Sequence, residues 1–144
     1  MICTSIEQSK HLLELGLDPK TADMVWMCNK WLYSIKDNIL NQEQFSEQDT
    51  LAWSLTALLE VMPITITKDG MEHKLKVFPS GLFSTHSDTS KWTLQYCGRD
   101  YSYRSRDKYP ILVAVTQHDL IDAAYEMVCW LLEQGIIKKE GNDE

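Results

Sequence analysis

The stretch from Asp119 to Gly135 constrains the fold more than any other part of this chain, because it spells an amphipathic helix with both ends marked. Leu120, Ala124, Met127, Val128 and Leu131 recur at spacings of three and four, and Ile121, Tyr125 and Leu132 broaden the stripe. Residues so spaced share one helical face and must be covered by other parts of the fold. Asp119 stands where an N-cap accepts the first free N–H groups, and Gly135 where a left-handed residue ends a helix. The best-marked side chains here are packing residues.

Two further helices are predicted, over about 5–15 and 46–62. In the first, Ser5 and Gln8 have capping-box spacing, Leu12, Leu13 and Leu15 form the apolar side, and Gly16 ends it, with Leu17 folding back over the last turn. In the second, Ser46 is the expected cap, Leu51, Leu55, Leu58, Leu59 and Met62 form the stripe, and Pro63 stops it. Between these helices the signals are weaker. Asp18-Pro19 opens either one helical turn or a strand, Trp31 to Ile35 alternates loosely like a strand, and Lys36 to Gln48 is polar and amide-rich like a loop.

After Pro63 the periodicity changes from helical to alternating. Ile64 to Thr67 and His73 to Phe78 flank the turn Lys68-Asp69-Gly70, a strong hairpin signal. Leu82-Phe83 is expected to open a short strand, Trp92 to Tyr96 alternates, Gly98-Arg99-Asp100 turns, and Tyr101 to Arg104 alternates in return. Ile111 to Val115 closes the series. The expected fold is one α+β domain over 1–144, with an antiparallel sheet of four to five strands from about 64 to 115. Helices from both ends would cover one face of the sheet, and 138–144 would form a charged tail.

The chain has 144 residues, 44% of them apolar, and a net charge of −7, which suits a packed soluble domain and disfavours indiscriminate binding to nucleic acid or anionic membrane. The charge is uneven. Ile64 to Tyr109 holds eight Lys or Arg against five Asp or Glu, while the remainder holds six against sixteen. Cys3, Cys28, Cys97 and Cys129 form no CxxC pair, no apolar run reaches membrane-spanning length, and no leader pattern opens the chain, so a reduced, cytoplasmic setting is expected.

Little in the sequence specifies chemistry. His11, His73, His86 and His118 show no metal-binding spacing, and a site uniting His86, Asp88 and His118 would have to be assembled by the fold. No nucleophile elbow or glycine-rich phosphate loop is present. Cys97, next to Gly98 at a strand end, is the one thiol placed to invite inspection. The segment Arg99 to Tyr109 interleaves cations with aromatics, a composition that single-stranded nucleic acid or phosphate ligands exploit. With the hairpin lysines it defines a candidate anionic-ligand surface of Lys74, Lys76, Arg99, Tyr101, Arg104 and Arg106. On a strand, Tyr101 and Tyr103 would face one side and Arg104 and Arg106 the other, which also describes a solvated edge.

Several segments carry a resemblance: Ser5-Ile6-Glu7-Gln8-Ser9-Lys10, Leu12 to Leu17, Thr21-Ala22-Asp23-Met24, Trp53 to Glu60, Asp122 to Val128, and Trp130-Leu131-Leu132-Glu133. Together these resemble a group of small proteins encoded by gut anaerobic bacteria and their prophage-like or mobile elements, a group with no assigned activity. The resemblance covers the helical half of the chain. It implies a bacterial or phage-type cytoplasmic accessory protein and transfers no catalytic, cofactor or metal residue. The residues themselves favour a non-enzymatic, protein-binding module that needs no cofactor. A nucleic-acid-associated protein using the basic β region is the second reading, and a small-ligand protein or enzyme gathering His86, His118, Cys97 or Arg99 is the third.

Overall fold

The structure, a computed structural model, describes residues 2–35, 46–80, 91–98 and 111–139. These form an α+β fold with three α-helices and two antiparallel sheets, one of three strands and one of four. The chain divides into two compact units, residues 1–62 with 128–144, and residues 63–127.

The first unit opens with α1 (Ile6–Glu14), where the capping box forms as the sequence predicts: Gln8 N–H donates to the Ser5 hydroxyl, and Ser5 N–H donates to the Gln8 side chain. The helix ends on Gly16 at φ 97°, with Gly16 N–H bonded to the Leu13 carbonyl and Leu17 N–H to that of Leu12. This is a Schellman closure, and it seals Leu12 and Leu17 into the core. Asp18-Pro19 opens a single 3-10 turn, Pro19–Thr21, that leads directly into β1 (Met24–Met27). Both alternatives for that segment are therefore realised, one after the other.

β1 is the middle strand of the three-stranded sheet. On one side it pairs with β2 (Trp31–Ser34), matching Trp26 with Leu32 and Val25 with Tyr33, and on the other with β3 (Thr50–Ala52). This second sheet corrects two expectations: one sheet confined to the middle of the chain, and a helix over 46–62. The α-helix here is only α2, Leu55–Val61, and its cap is Ser54, not Ser46. The reason lies in long-range bonds. Asp49 accepts the N–H groups of Ser46 and of Cys28, pinning a turn where a helix would otherwise start. The Thr4 hydroxyl then accepts Trp53 N–H, and Thr4 N–H reaches the Trp53 carbonyl, so residues 50–53 are held extended.

The second unit contains β4 (Thr65–Lys68), β5 (Met71–Pro79), β6 (Trp92–Gly98) and β7 (Ile111–Gln117), paired in that order as an antiparallel meander. The β4–β5 hairpin turns on Asp69 and Gly70 with φ of 54° and 76°. Two left-handed residues in a two-residue loop match the twist of the flanking strands. One sheet face brings Ile66, Leu75, Leu94, Tyr96, Val113 and Val115 together through their pairing, with Leu94 and Tyr96 fully buried.

α3 (Leu120–Glu133) starts after Asp119, whose carbonyl accepts Ala123 N–H, and closes on Gly135 with another Schellman pair of bonds. Its buried residues are the predicted stripe joined by Ala123 and Cys129, with Leu120 and Tyr125 half-buried. The expected strands at Leu82-Phe83 and Tyr101 to Arg104 lie outside the described residues, as do 140–144 of the charged tail.

Candidate functional site

Three places gather groups capable of chemistry or recognition. The first is a polar cluster in the first unit, around Cys3, Asp23 and Ser54. Asp23 is held on the segment between the 3-10 turn and β1, while Ser54 caps α2 and forms an isolated antiparallel bridge with Cys3. One Asp23 carboxylate oxygen accepts Ser54 N–H at 2.8 Å, and the other accepts the Ser54 hydroxyl. The Ser54 oxygen in turn accepts Ala57 N–H. Burial pushes the Cys3 thiol up to about 11, and the neighbouring Asp23 charge acts in the same direction. A hydroxyl committed as an N-cap and a thiol held protonated are structural groups; neither is an activated nucleophile.

The second is the polar face of the meander. Lys74 pairs with Cys97 and Lys76 with Gln95, so the two lysines share one face, and both are exposed. A hydroxyl ladder lies on the same face, Ser80 to Thr93 at 2.6 Å and Thr93 to Thr116 at 2.9 Å. The lysines thus sit on the solvent side of the hairpin as their alternation predicts. Arg99, Tyr101, Arg104 and Arg106, the other members of the candidate anionic-ligand surface, lie outside the described residues, so their convergence with the lysines is not part of this geometry. His86 and Asp88 also lie outside them. Cys97 is buried at the Tyr96–Cys97 irregularity in β6, and His118 is exposed just before α3. Among the described residues no three His, Cys, Asp or Glu side chains come together as a metal site. No helix among them is long and apolar enough to cross a membrane.

The third is the outer edge of the three-stranded sheet. β2 is bordered by β1 on one side and by no described strand on the other. Its alternation places Trp31 and Tyr33 on one face, opposite Met27 and Val25 respectively, and both are well exposed, at 64% and 55%. Single exposed apolar residues are ordinary, but two large aromatics alternating on a border strand form a contiguous amphipathic patch. The hydrogen-bond phase completes the picture. Ile35 N–H donates to the Asp23 carbonyl at 2.8 Å, which makes Asp23 and Ile35 a hydrogen-bonded pair. Bonding alternates along an antiparallel ladder, so Tyr33 and Trp31 also direct their backbone groups inward to β1. Leu32 and Ser34 therefore point their N–H and C=O groups at the edge that no described strand borders.

The sequence signal for this site was the loose alternation of Trp31 to Ile35. What it lacked was any sign that the aromatics lie outside the core, which is where aromatic residues most often go. Compared with known protein families, curated proteins and solved structures, the chain finds no match.

Proposed function

We propose that this protein is a non-enzymatic binding module that recognises an extended polypeptide segment by adding it as a strand to the outer edge of β2. The carrying observation is the coincidence, on one short strand, of outward-directed backbone groups at Leu32 and Ser34 with exposed aromatic rings at Trp31 and Tyr33. In strand addition the main chain supplies affinity and alternate side chains supply selectivity. Tyr and Trp contribute large contact area at low conformational cost, which is why they are enriched at interfaces. The engaged state of Asp23, Ser54 and Cys3 supports the same reading, because these groups hold the scaffold on which β2 is presented. An accessory role for a bacterial or phage-type protein fits a module of this kind.

The test is selection from a displayed library of random peptides, followed by affinity measurement. Wild-type protein is expected to enrich extended, β-forming sequences, and Ser34→Pro to lose them. Proline at position 34 removes an N–H that faces away from β1, on the side no described strand borders, and leaves the β1 pairing bonds in place. Peptides binding the two proteins equally would overturn the assignment of the edge.

A further inference from the structure

We infer that the strand added to β2 is β2 of a second copy of this chain, in an antiparallel pair whose two-fold axis passes through Leu32. This rests on the strand-addition reading and names its occupant. A two-fold axis normal to the sheet leaves each residue on its own face, so only registers pairing odd with odd and even with even positions keep the faces aligned. Leu32 and Ser34 carry the outward hydrogen-bonding groups, and the register centred on Leu32 uses all of them except the Ser34 carbonyl, because the N–H of the partner's Lys30 opposite it is already bonded to the Met27 carbonyl. Leu32 exchanges both backbone bonds with Leu32 of the partner subunit, and Ser34 meets Lys30 of the partner subunit.

The same register places Trp31 opposite Tyr33 of the partner subunit, and Tyr33 opposite the partner's Trp31. These would be non-hydrogen-bonded pairs, the closer of the two kinds, and aromatic–aromatic contacts across strands are among the favourable ones. The exposed rings of one copy are thereby covered by those of the other. Charge does not oppose the contact: from Lys30 to Ile35 no Asp or Glu occurs, and each Lys30 faces a serine and not its own symmetry mate. Two three-stranded sheets would become one continuous six-stranded sheet.

Sedimentation equilibrium of the full chain with reductant, from micromolar to about millimolar concentration, is expected to show a monomer–dimer equilibrium, in keeping with the weak end expected of a small interface. Ser34→Pro is expected to raise the dissociation constant at least about tenfold while leaving the circular dichroism and Tm of the monomer unchanged. Tyr33→Lys, at an exposed position, serves as the second variant and is expected to weaken the dimer likewise. Register is read by disulfide trapping in a Cys28→Ser background. Leu32→Cys is expected to yield a covalent dimer on mild oxidation, because residues on the axis lie about 5.5 Å apart between Cα atoms, within disulfide range. Ser34→Cys is expected to give none, since its symmetry mate lies several residues away along the strand. A strictly monomeric chain, a dimer indifferent to both Ser34→Pro and Tyr33→Lys, or trapping at position 34 in preference to 32 would overturn self-pairing. If edge-dependent peptide binding survives that result, strand addition stands with a different occupant; if it too is absent, both readings fall.

Discussion

Asp23 grips Ser54 with both carboxylate oxygens, one taking the backbone N–H at 2.8 Å and the other the side-chain hydroxyl. Through this clamp a residue on the entry to β1 fixes the cap of a helix that starts more than thirty positions later. Ser54→Ala is expected to cost about 1–2 kcal/mol, the usual range for losing an N-cap. Asp23→Ala should cost about 2–3 kcal/mol, because two hydrogen bonds to a charged group disappear together. The double variant should fall well short of the sum, since both changes break one network. Urea unfolding of the four proteins measures the coupling directly, and simple additivity would show that the clamp carries no stability of its own.

How far the sequence reveals this protein depends on the distance between cause and effect. The capping box of Ser5 and Gln8, the glycine closures at Gly16 and Gly135, and the Asp69-Gly70 hairpin are local devices, and each is legible from neighbouring residues. The stretch from Ser46 to Ser54 reads as helix because Leu51 keeps step with Leu55 and Leu58. It folds as turn and strand because Asp49 reaches Cys28 and Thr4 reaches Trp53, 21 and 49 positions away. No periodicity encodes such bonds. The aromatic edge is legible only as alternation, since whether Trp31 and Tyr33 face water depends on which side of β1 receives β3. Lys74 and Lys76 are placed on their solvent face by strand alternation alone.

Gly16 and Gly135 offer a controlled comparison of backbone and steric effects. Both have positive φ, 97° and 73°, but only Gly16 has a neighbour in the way: a Cβ there would stand 2.9 Å from Lys139 Cβ and 3.0 Å from its Cγ. Gly135→Ala should cost about 1–2 kcal/mol, the penalty of a left-handed L-residue. Gly16→Ala should cost more, by about another 1 kcal/mol, because the stem of Lys139 must shift as well. Combining it with Lys139→Ala leaves the backbone penalty and is expected to relieve little of the clash at Cβ itself. Equal losses at the two glycines would mean that Lys139 moves aside freely.

Asp49 ties acid stability to the β1–β2 turn. Backbone N–H groups of Cys28 and then Ser46 hold its carboxyl below the usual carboxylate range. A group whose folded-state pKa is depressed contributes stability above its unfolded value and loses it as pH falls through the folded one. The stability difference between wild type and Asp49→Asn should therefore be constant above about pH 5 and shrink steadily below about pH 4, the region of an unperturbed Asp. Denaturant titrations from pH 2.5 to 7 would follow it. A difference independent of pH would show that the charge of Asp49 plays no part.

The four free thiols should separate sharply in reactivity. Cys28 is exposed, whereas Cys3, Cys97 and Cys129 are buried, and the Cys3 thiol is in addition pushed up to about 11. One equivalent per chain is expected to react promptly with a disulfide reagent at pH 8, and the other three only on unfolding. Cys28 also sits at φ 53°, a conformation that L-residues adopt at a cost, so Cys28→Gly should be neutral or stabilising by up to about 1 kcal/mol. Prompt reaction of a second thiol in the native protein would locate an opening in the core that the structure does not contain.

Tyr96 sets the alkaline limit of the second unit. Its hydroxyl donates to the Pro63 carbonyl at 2.7 Å, the ring is fully buried, and burial raises its pKa well above the ordinary tyrosine value. The neutral phenol therefore contributes stability that is complete below about pH 10, the unfolded value, and is lost as pH rises toward the folded one. At pH 7, Tyr96→Phe is expected to cost about 1 kcal/mol, mainly the hydrogen bond and the orphaned carbonyl. At pH 11 the gap should narrow, because only the wild type gains by ionising its unfolded state at this position. Absorbance of the phenolate should report the same event, with Tyr96 ionising only as the fold is lost. A gap that stays constant through pH 11 would place the Tyr96 hydroxyl in contact with solvent and remove burial as the cause of its resistance to ionisation.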